Sequence, residues 1–164
     1  MRSQVVRRQH EEGQQIVLFG VLLAMVIAVG SVLAVNLVWL RAEWTAIQEA
    51  TISAAAAGTI EVGGLPGARS LDPDRAEKAA RQVLAHNLVA LPFLDLDPAT
   101  IAAEAEIRVL NPPPGVCLPD PLGGPCHEAP FVTMGVKAPI RLPWGNWQLT
   151  LYSRAVAEAG ESPQ

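Results

Sequence analysis

The sequence lacks the motifs that mark most enzymes. Its 164 residues contain no GxSxG elbow, no HExxH pair and no glycine-rich phosphate loop after a predicted strand. Its three histidines, His10, His86 and His127, lie in unrelated segments, which argues against a Ser/His/Asp arrangement. We therefore expect a protein that is not an enzyme, with no catalytic residue and no cofactor.

Charge is also scarce, and its sign excludes one class of partner. Only 17% of the residues are charged, with 12 Lys and Arg against 16 Asp and Glu, for a net charge of -4. A chain without basic excess has no field to attract nucleic-acid phosphates, so no nucleic acid is expected as a partner. The hydrophobic fraction of 50% excludes intrinsic disorder.

The apolar residues are concentrated in one uncharged run at residues 16–40. About 20 apolar residues suffice to cross a hydrocarbon core about 30 Å thick, and in lipid a single segment satisfies its backbone groups only as a helix. The competing interpretation is a secretory signal peptide, whose apolar region has about 7–15 residues before a small-residue cleavage site. The alanines at 54–57 are too far downstream to serve as that site. The run therefore predicts a transmembrane anchor in the lipid bilayer.

The charges on either side of the run predict its orientation. Arg2, Arg7 and Arg8 precede it, whereas Arg41 follows it and is offset by Glu43. Because basic residues remain on the cytoplasmic side, we expect a single-pass protein with its N-terminus inside and the chain after about residue 41 outside.

Two kinds of residue in and beside the run are predicted to make contacts. Trp39 and Trp44 flank its outer end, at the headgroup level where amphipathic rings prefer to lie, and are predicted interface anchors. Small residues about one helical turn apart allow another helix to approach closely. In this run they are Gly20, Ala24, Ala28 and Ser31. The alternative is that they are the ordinary glycine and alanine content of a membrane helix.

The helical pattern continues beyond the membrane run. Residues 41–57 contain neither Pro nor Gly, and Gly58 then provides a C-cap, so one helix is predicted over 14–57 with a length of roughly 65 Å. Its outer half carries an apolar stripe that must be buried against a folded head. The residues of this stripe are Trp44, Ile47, Ala50 and Ala54.

The remainder of the chain predicts a small α+β head. A loop at 58–71 leads to a second helix, with Asp72 as N-cap and Pro73 in the first turn, which ends before Pro92. Three segments then alternate with a period of two, at 103–110, 131–138 and 147–156. Such a succession is typical of an antiparallel three-stranded meander with one covered face.

The predicted organisation has four parts. They are a basic cytoplasmic leader at 1–13, a transmembrane and stalk helix at 14–57, an extracytoplasmic α+β head at 58–157 and a flexible tail at 158–164.

The two cysteines, Cys117 and Cys126, bracket a Pro- and Gly-rich connection between the first two predicted strands. An oxidising compartment favours a disulfide between them, closing a small surface loop. A metal site is the alternative, but His127 completes only a Cys2His set, and a structural zinc site needs a fourth ligand. We predict a disulfide and no metal site.

The N-terminal segment resembles the TadE/TadG-like pseudopilins of the Tad (Flp) pilus system. The resemblance lies in GQQIVLF at 13–19, in the apolar run after it and in TISAAAAG at 51–58. It implies a pilin-like head and a minor pilus-assembly component of the bacterial cytoplasmic (inner) membrane, packed with other pseudopilins through its long helix. It also makes the bond between Gly13 and Gln14 the candidate processing site. TadE-like members have Glu where this chain has Leu18, so the sequence leans toward the membrane-retained, TadG-like type.

Three functions are therefore compared. The first is a structural role in pilus assembly, with other pseudopilins or pilus-assembly membrane proteins as partners. The second is a membrane-anchored extracytoplasmic binding module that uses the disulfide loop or the turn at 144–147 to hold a ligand or an envelope polymer. The third is a filament-forming pilin, which requires processing after Gly13.

Overall fold

The computed structural model describes residues 2–60, 62–63, 70–142 and 148–160, with side chains described from residue 17 onward, except at 62–63. The chain divides into two compact units, Met1–Ala42 and Glu43–Gln164. The elements in chain order are α1 (Arg2–Ile60), β1 (Val62–Gly63), β2 (Ser70–Leu71), α2 (Pro73–Leu88), α3 (Pro98–Glu104), β3 (Glu106–Leu110), β4 (Phe131–Arg141) and β5 (Gln148–Glu158). An α+β fold with a long N-terminal apolar helix is confirmed.

The first unit consists of helix α1 up to Ala42. Its large apolar side chains between Val17 and Val38 are 50 to 71% exposed, and its most apolar stretch has a mean hydropathy of 2.7. The helix is therefore long and apolar enough to cross a membrane, as the uncharged run predicts.

In the second unit, the remaining part of α1 contributes a buried stripe to the core. The stripe comprises Glu43, Ile47, Ala50, Thr51, Ala54 and Ala55. The prediction that Trp44 belongs to this stripe is wrong, because its side chain is 42% exposed. The position one turn before Ile47 is occupied by Glu43, and the next residue of a helix points about 100° away from it.

Gly58 does not end α1, so its predicted role as a C-cap is wrong. The helix continues to Ile60. A Cβ atom on Gly58 would lie 3.2 Å from the backbone oxygen of Ala76 and 3.2 Å from Val132 Cγ2. The glycine therefore allows α1 to pass close to both α2 and β4. The segment 58–71, predicted as a loop, also contains β1 and β2, in which Val62 pairs with Leu71.

Helix α2 begins as the sequence predicts and ends earlier. The Asp72 carboxylate accepts hydrogen bonds from the backbone N–H groups of Asp74 and Arg75, at 3.1 and 3.2 Å, and Pro73 is the first helical residue. The helix ends at Leu88, before the turn that leads to Pro92. Its buried residues are Ala76, Ala80, Leu84 and Leu88.

A short helix, α3, replaces the beginning of the first predicted strand. Asp97 caps it, accepting from the backbone N–H of Ala99 at 3.1 Å, and it includes Ala103 and Glu104. Arg81 of α2 donates to the carbonyl oxygens of Ala102 and Ala103, and thereby satisfies backbone acceptors at the end of α3. Strand β3 starts only at Glu106.

The three-stranded sheet has the predicted antiparallel order β3-β4-β5. Its inner face carries alternating residues of β4, as the period of two predicts, and all are buried: Val132, Met134, Val136, Ala138 and Ile140. Strand β5 runs to Glu158, which the sequence analysis assigned to the flexible tail. Predicted strand residue Trp147 and tail residues 161–164 lie outside the described residues. Leu149, in the third predicted strand, is 39% exposed.

Candidate functional site

Two polar side chains in the apolar part of α1 donate hydrogen bonds to the backbone of the same helix. Ser31 Oγ donates to the Ile27 carbonyl and Asn36 Nδ2 to the Val32 carbonyl, both at 2.8 Å. The small residues Gly20, Ala24, Ala28 and Ser31 are all exposed. A Cβ added at Gly20 would meet no atom of the described residues within 4 Å. The predicted packing stripe is thus an open surface, available to lipid or to another helix.

The predicted interface anchors, the processing site and the apolar turn stay predictions. Trp39 is half-buried and Trp44 is exposed, and their role as interface anchors stays a prediction. Gly13 and Gln14 lie within helix α1, with side chains outside the described set, and processing between them is untested. The apolar turn at 144–147 lies outside the described residues.

Cys117 and Cys126 form the predicted disulfide, with their Cα atoms 5.4 Å apart. We call residues 117–126 the disulfide loop. Just beside the bond, Leu118 and His127 exchange two backbone hydrogen bonds of 2.9 and 2.8 Å. At the tip, the Asp120 carboxylate accepts from the backbone N–H of Leu122 at 2.7 Å. The loop is therefore closed covalently and is ordered by its own backbone and side-chain contacts.

His127 fastens the disulfide loop to the sheet. Its ring packs on Phe131 with centroids 4.5 Å apart, and its Nδ1 lies 3.1 Å from Glu158 Oε2 at the end of β5. Its Nε2 lies 3.8 Å from Asp120 Oδ2 in the loop. Glu158 also accepts from the backbone N–H of Ala129 at 3.2 Å.

These contacts give His127 a structural role. The sulfur atoms of Cys117 and Cys126 are bonded to each other, and among the described residues no group of three His, Cys, Asp or Glu side chains is arranged to hold a metal ion. His86 is exposed on α2. The contact between His127 and Glu158 was not predicted, because the two residues are 31 positions apart in the chain.

We expect His127→Ala to loosen the disulfide loop without unfolding the second unit. A hydrogen bond to a carboxylate contributes about 1.5–3 kcal/mol, which corresponds to about tenfold or greater acceleration of local amide exchange. Hydrogen–deuterium exchange of the full chain should show faster exchange at 117–129 and unchanged exchange in α2. His86→Ala is the matched control. Unchanged exchange at 117–129 would contradict the fastening role.

Glu43 is a buried carboxyl group that the sequence analysis treated only as a flanking charge. It is 8% exposed, and among the residues that the structure describes its Oε2 has no hydrogen-bond partner. Burial raises the pKa of this carboxyl above its ordinary value, because the charged form loses hydration. The folded unit therefore binds the Glu43 proton more tightly than the unfolded chain does.

The pH dependence has a definite sign. A carboxyl whose pKa is raised by folding favours the folded state below its ordinary pKa, and that contribution is lost as the pH rises through the raised value. We expect Glu43→Gln to be more stable than the parent at neutral pH, with the difference shrinking on acidification. Thermal unfolding of both full chains in detergent at several pH values measures this difference. A gap that does not change with pH would contradict it.

The outer face of the sheet carries a hollow centred on Gly135. In the register, Gly135 of β4 lies between Glu106 of β3 and Arg154 of β5, and the adjacent rung pairs Arg108 with Thr133. A cavity of about 140 Å³ lies beside Gly135. We call it the Gly135 hollow. Its polar lining is Glu106, Arg108, Thr133, Tyr152 and Arg154, and Pro121 and Leu122 of the disulfide loop line it too.

The charges at the hollow are unevenly paired. Glu106 lies 3.6 Å from Lys137 Nζ, outside the lining. The Arg154 guanidinium lies 4.8 Å from the Tyr152 ring centroid and donates to the Tyr152 hydroxyl. Among the described residues, neither Arg108 nor Arg154 has a carboxylate within ion-pair distance. Arg108 and Arg154 lie on different strands, and the register of the sheet brings both to this hollow.

No family model, curated protein or solved structure matches this chain. The resemblance to the TadE/TadG-like proteins therefore stays a prediction from the N-terminal residues.

Proposed function

We propose that this chain is a single-pass membrane protein with a structural role in a TadE/TadG-like pilus-assembly complex of the bacterial cytoplasmic membrane. Its apolar helix anchors the chain and packs against partner helices, and the disulfide-bonded unit lies on the outer side. Its expected partners are other pseudopilins or pilus-assembly membrane proteins.

The observation that carries the proposal is the apolar surface of α1. Fifteen large apolar side chains between Val17 and Val38 are at least half exposed. Burying one such side chain fully is worth about 1.5–3 kcal/mol, so a helix that presents all of them to water is strongly disfavoured. Lipid and partner helices remove that cost.

Two further features support the outer location of the second unit. Disulfides persist in oxidising compartments and are rare in the cytosol, and this unit contains the bond between Cys117 and Cys126. The three arginines that precede the apolar run favour a cytoplasmic N-terminus by the positive-inside rule. These two arguments are independent, and they agree.

The role in assembly is tested by crosslinking from within the apolar helix. A photoreactive residue placed in turn at Gly20, Ala24 and Ala28 in the native cell should give adducts with another membrane protein, because small residues allow close helix approach. The matched scan uses Val21, Val29 and Val32. Adducts with lipid alone at all six positions would contradict helix packing as the basis of function.

Processing distinguishes the filament-forming pilin from a retained assembly protein. Since Leu18 replaces the family's glutamate, we expect the mature protein to retain its residues before Gln14. Intact-mass spectrometry of the membrane-extracted chain measures this. A mature chain that begins at Gln14 would favour the filament-forming pilin instead.

A membrane-anchored binding module is the second candidate, and one observation favours it. The Gly135 hollow presents two arginines that have no carboxylate partner among the described residues, beside an ordered loop. What this hollow binds is considered next.

A further inference from the structure

The Gly135 hollow concentrates positive charge on an acidic chain. The net charge of the protein is -4, yet Arg108 and Arg154 both line this one hollow. Elsewhere in the second unit, Arg75 has the Asp72 carboxylate at 3.5 Å and Arg141 has the Asp95 carboxylate at 2.5 Å. Among the described residues, the two arginines of the hollow have no such carboxylate, so they can bind an anion from outside the chain.

Two donors of the hollow, Arg154 and Tyr152, are held against each other before any ligand binds. Arg154 lies over the Tyr152 ring and donates to its hydroxyl, which leaves the hydroxyl hydrogen of Tyr152 free to point at a ligand. Thr133 adds a second hydroxyl on the rung of Arg108. Groups held before binding lose less entropy when they bind.

The size and the walls of the hollow limit what it accepts. Its volume of about 140 Å³ is close to that of an engineered cavity of about 150 Å³ that holds one benzene molecule. One amino-acid side chain or a small organic acid fits this space, whereas a nucleotide is too large. Pro121 and Leu122 provide an apolar wall for the carbon stem of such a group.

The negative charge of Glu106, which also lines the hollow, favours some anions over others. Glu106 lies in the same lining and is only partly neutralised by Lys137, at 3.6 Å. It repels a dianionic phosphate more strongly than a singly charged carboxylate. The guanidinium fork also matches the two oxygens of a carboxylate.

We propose that the Gly135 hollow is a carboxylate-binding site, in which Arg108 and Arg154 donate to the carboxylate oxygens and Tyr152 donates its hydroxyl hydrogen. Its ligand is a carboxylate on a short apolar stem, carried by a polypeptide side chain or by a small organic acid. This inference does not depend on the proposed role in pilus assembly.

The experiment uses the full chain in detergent micelles and follows the arginine side-chain Nε–Hε signals by NMR. The probes are an acetylated, amidated peptide with one internal Glu, its Gln counterpart, free acetate and inorganic phosphate. We expect saturable shifts of the Arg108 and Arg154 signals with the Glu peptide and none with the Gln peptide. Acetate that binds as tightly as the Glu peptide identifies a small acid as the source; a tighter peptide identifies a polypeptide.

Three variants establish where the ligand binds. Arg108→Gln and Arg154→Gln should each weaken binding by about tenfold, as expected for loss of one charge-assisted hydrogen-bonding group. Gly135→Val should abolish it by filling the hollow. The atoms nearest to a Cβ at this position are the Tyr152 hydroxyl oxygen at 3.3 Å, the Glu106 Cβ at 3.7 Å and the Glu106 Oε2 at 3.9 Å. Arg75→Gln on α2 is the matched control for loss of one positive charge.

Several results would overturn the proposal. The first is that the Arg108 and Arg154 signals do not saturate with the Glu peptide before the Arg75 signal also shifts. The second is that phosphate binds at least as tightly as the Glu peptide. The third is that the folded Gly135→Val variant binds the Glu peptide as well as the parent does. Thermal unfolding of each variant distinguishes loss of the site from loss of the fold. None of these results bears on helix packing in the membrane.

Discussion

Replacing Val26 and Val29 together by Arg should largely prevent membrane insertion of this protein. On insertion scales, Leu, Ile, Phe and Val each contribute roughly -0.3 to -0.6 kcal/mol, whereas Arg near the middle of the helix costs roughly 2.5–3.5 kcal/mol. The apolar residues of the run therefore supply roughly 5–9 kcal/mol, and the two arginines cancel most of it. Val26→Arg alone leaves a favourable balance, so we expect it to reduce insertion or partner packing less severely.

The measurement is the fraction of full-length protein that resists alkaline extraction from membranes. The control is Glu49→Arg combined with Ile52→Arg, which has the same spacing on the same helix but lies at exposed positions beyond the uncharged run. We expect the control to remain in the membrane like the parent. Equal retention of the Val26/Val29 variant would show that the run is not a membrane anchor.

Ile47→Ala should destabilise the second unit by about 2–5 kcal/mol. It is 0% exposed in the core of the second unit, and truncation leaves a cavity that close-packed neighbours fill only in part. This substitution tests whether the part of α1 beyond the apolar run is integral to the folded unit.

Chemical unfolding of the full chain in detergent, followed by the exchange of α2 and β4 amides, measures the effect. Ile52→Ala is the matched control, because it truncates the same residue type on the same helix at a position that is 46% exposed. We expect the control to change stability by less than about 0.5 kcal/mol. Equal effects of the two substitutions would mean that α1 adds little to the core.

Local signals in the sequence were sufficient for several elements. The uncharged run, the Asp72–Pro73 start of α2 and the alternation in β4 each depend on neighbours a few residues away. The disulfide was also predicted, because the chain has only two cysteines and they are close in sequence.

Features that depend on tertiary contacts were missed. The alternation of Ala and Glu at 103–106 extends across the boundary between α3 and β3, so a period of two did not distinguish strand from helix. Gly58 was predicted to be a C-cap, but it lies where a Cβ atom would be only 3.2 Å from the Ala76 backbone oxygen and from Val132 Cγ2. Neither partner can be recognised from the residues around Gly58.

The candidate sites show the same division. The stripe of small residues in α1 is visible in one helix, and the sequence analysis found it. The Gly135 hollow is assembled from three strands and the disulfide loop, and its lining residues become neighbours only through the register of β3, β4 and β5.

The orientation of the chain in the membrane is the central claim, and one measurement tests it directly. Single cysteines introduced as Ser3→Cys and Lys78→Cys are exposed to a membrane-impermeant maleimide in intact spheroplasts, with the native pair held in its disulfide. The proposal predicts labelling of Lys78→Cys in intact spheroplasts and of Ser3→Cys only after lysis. Labelling of Ser3→Cys in intact cells, with Lys78→Cys protected until lysis, would contradict it.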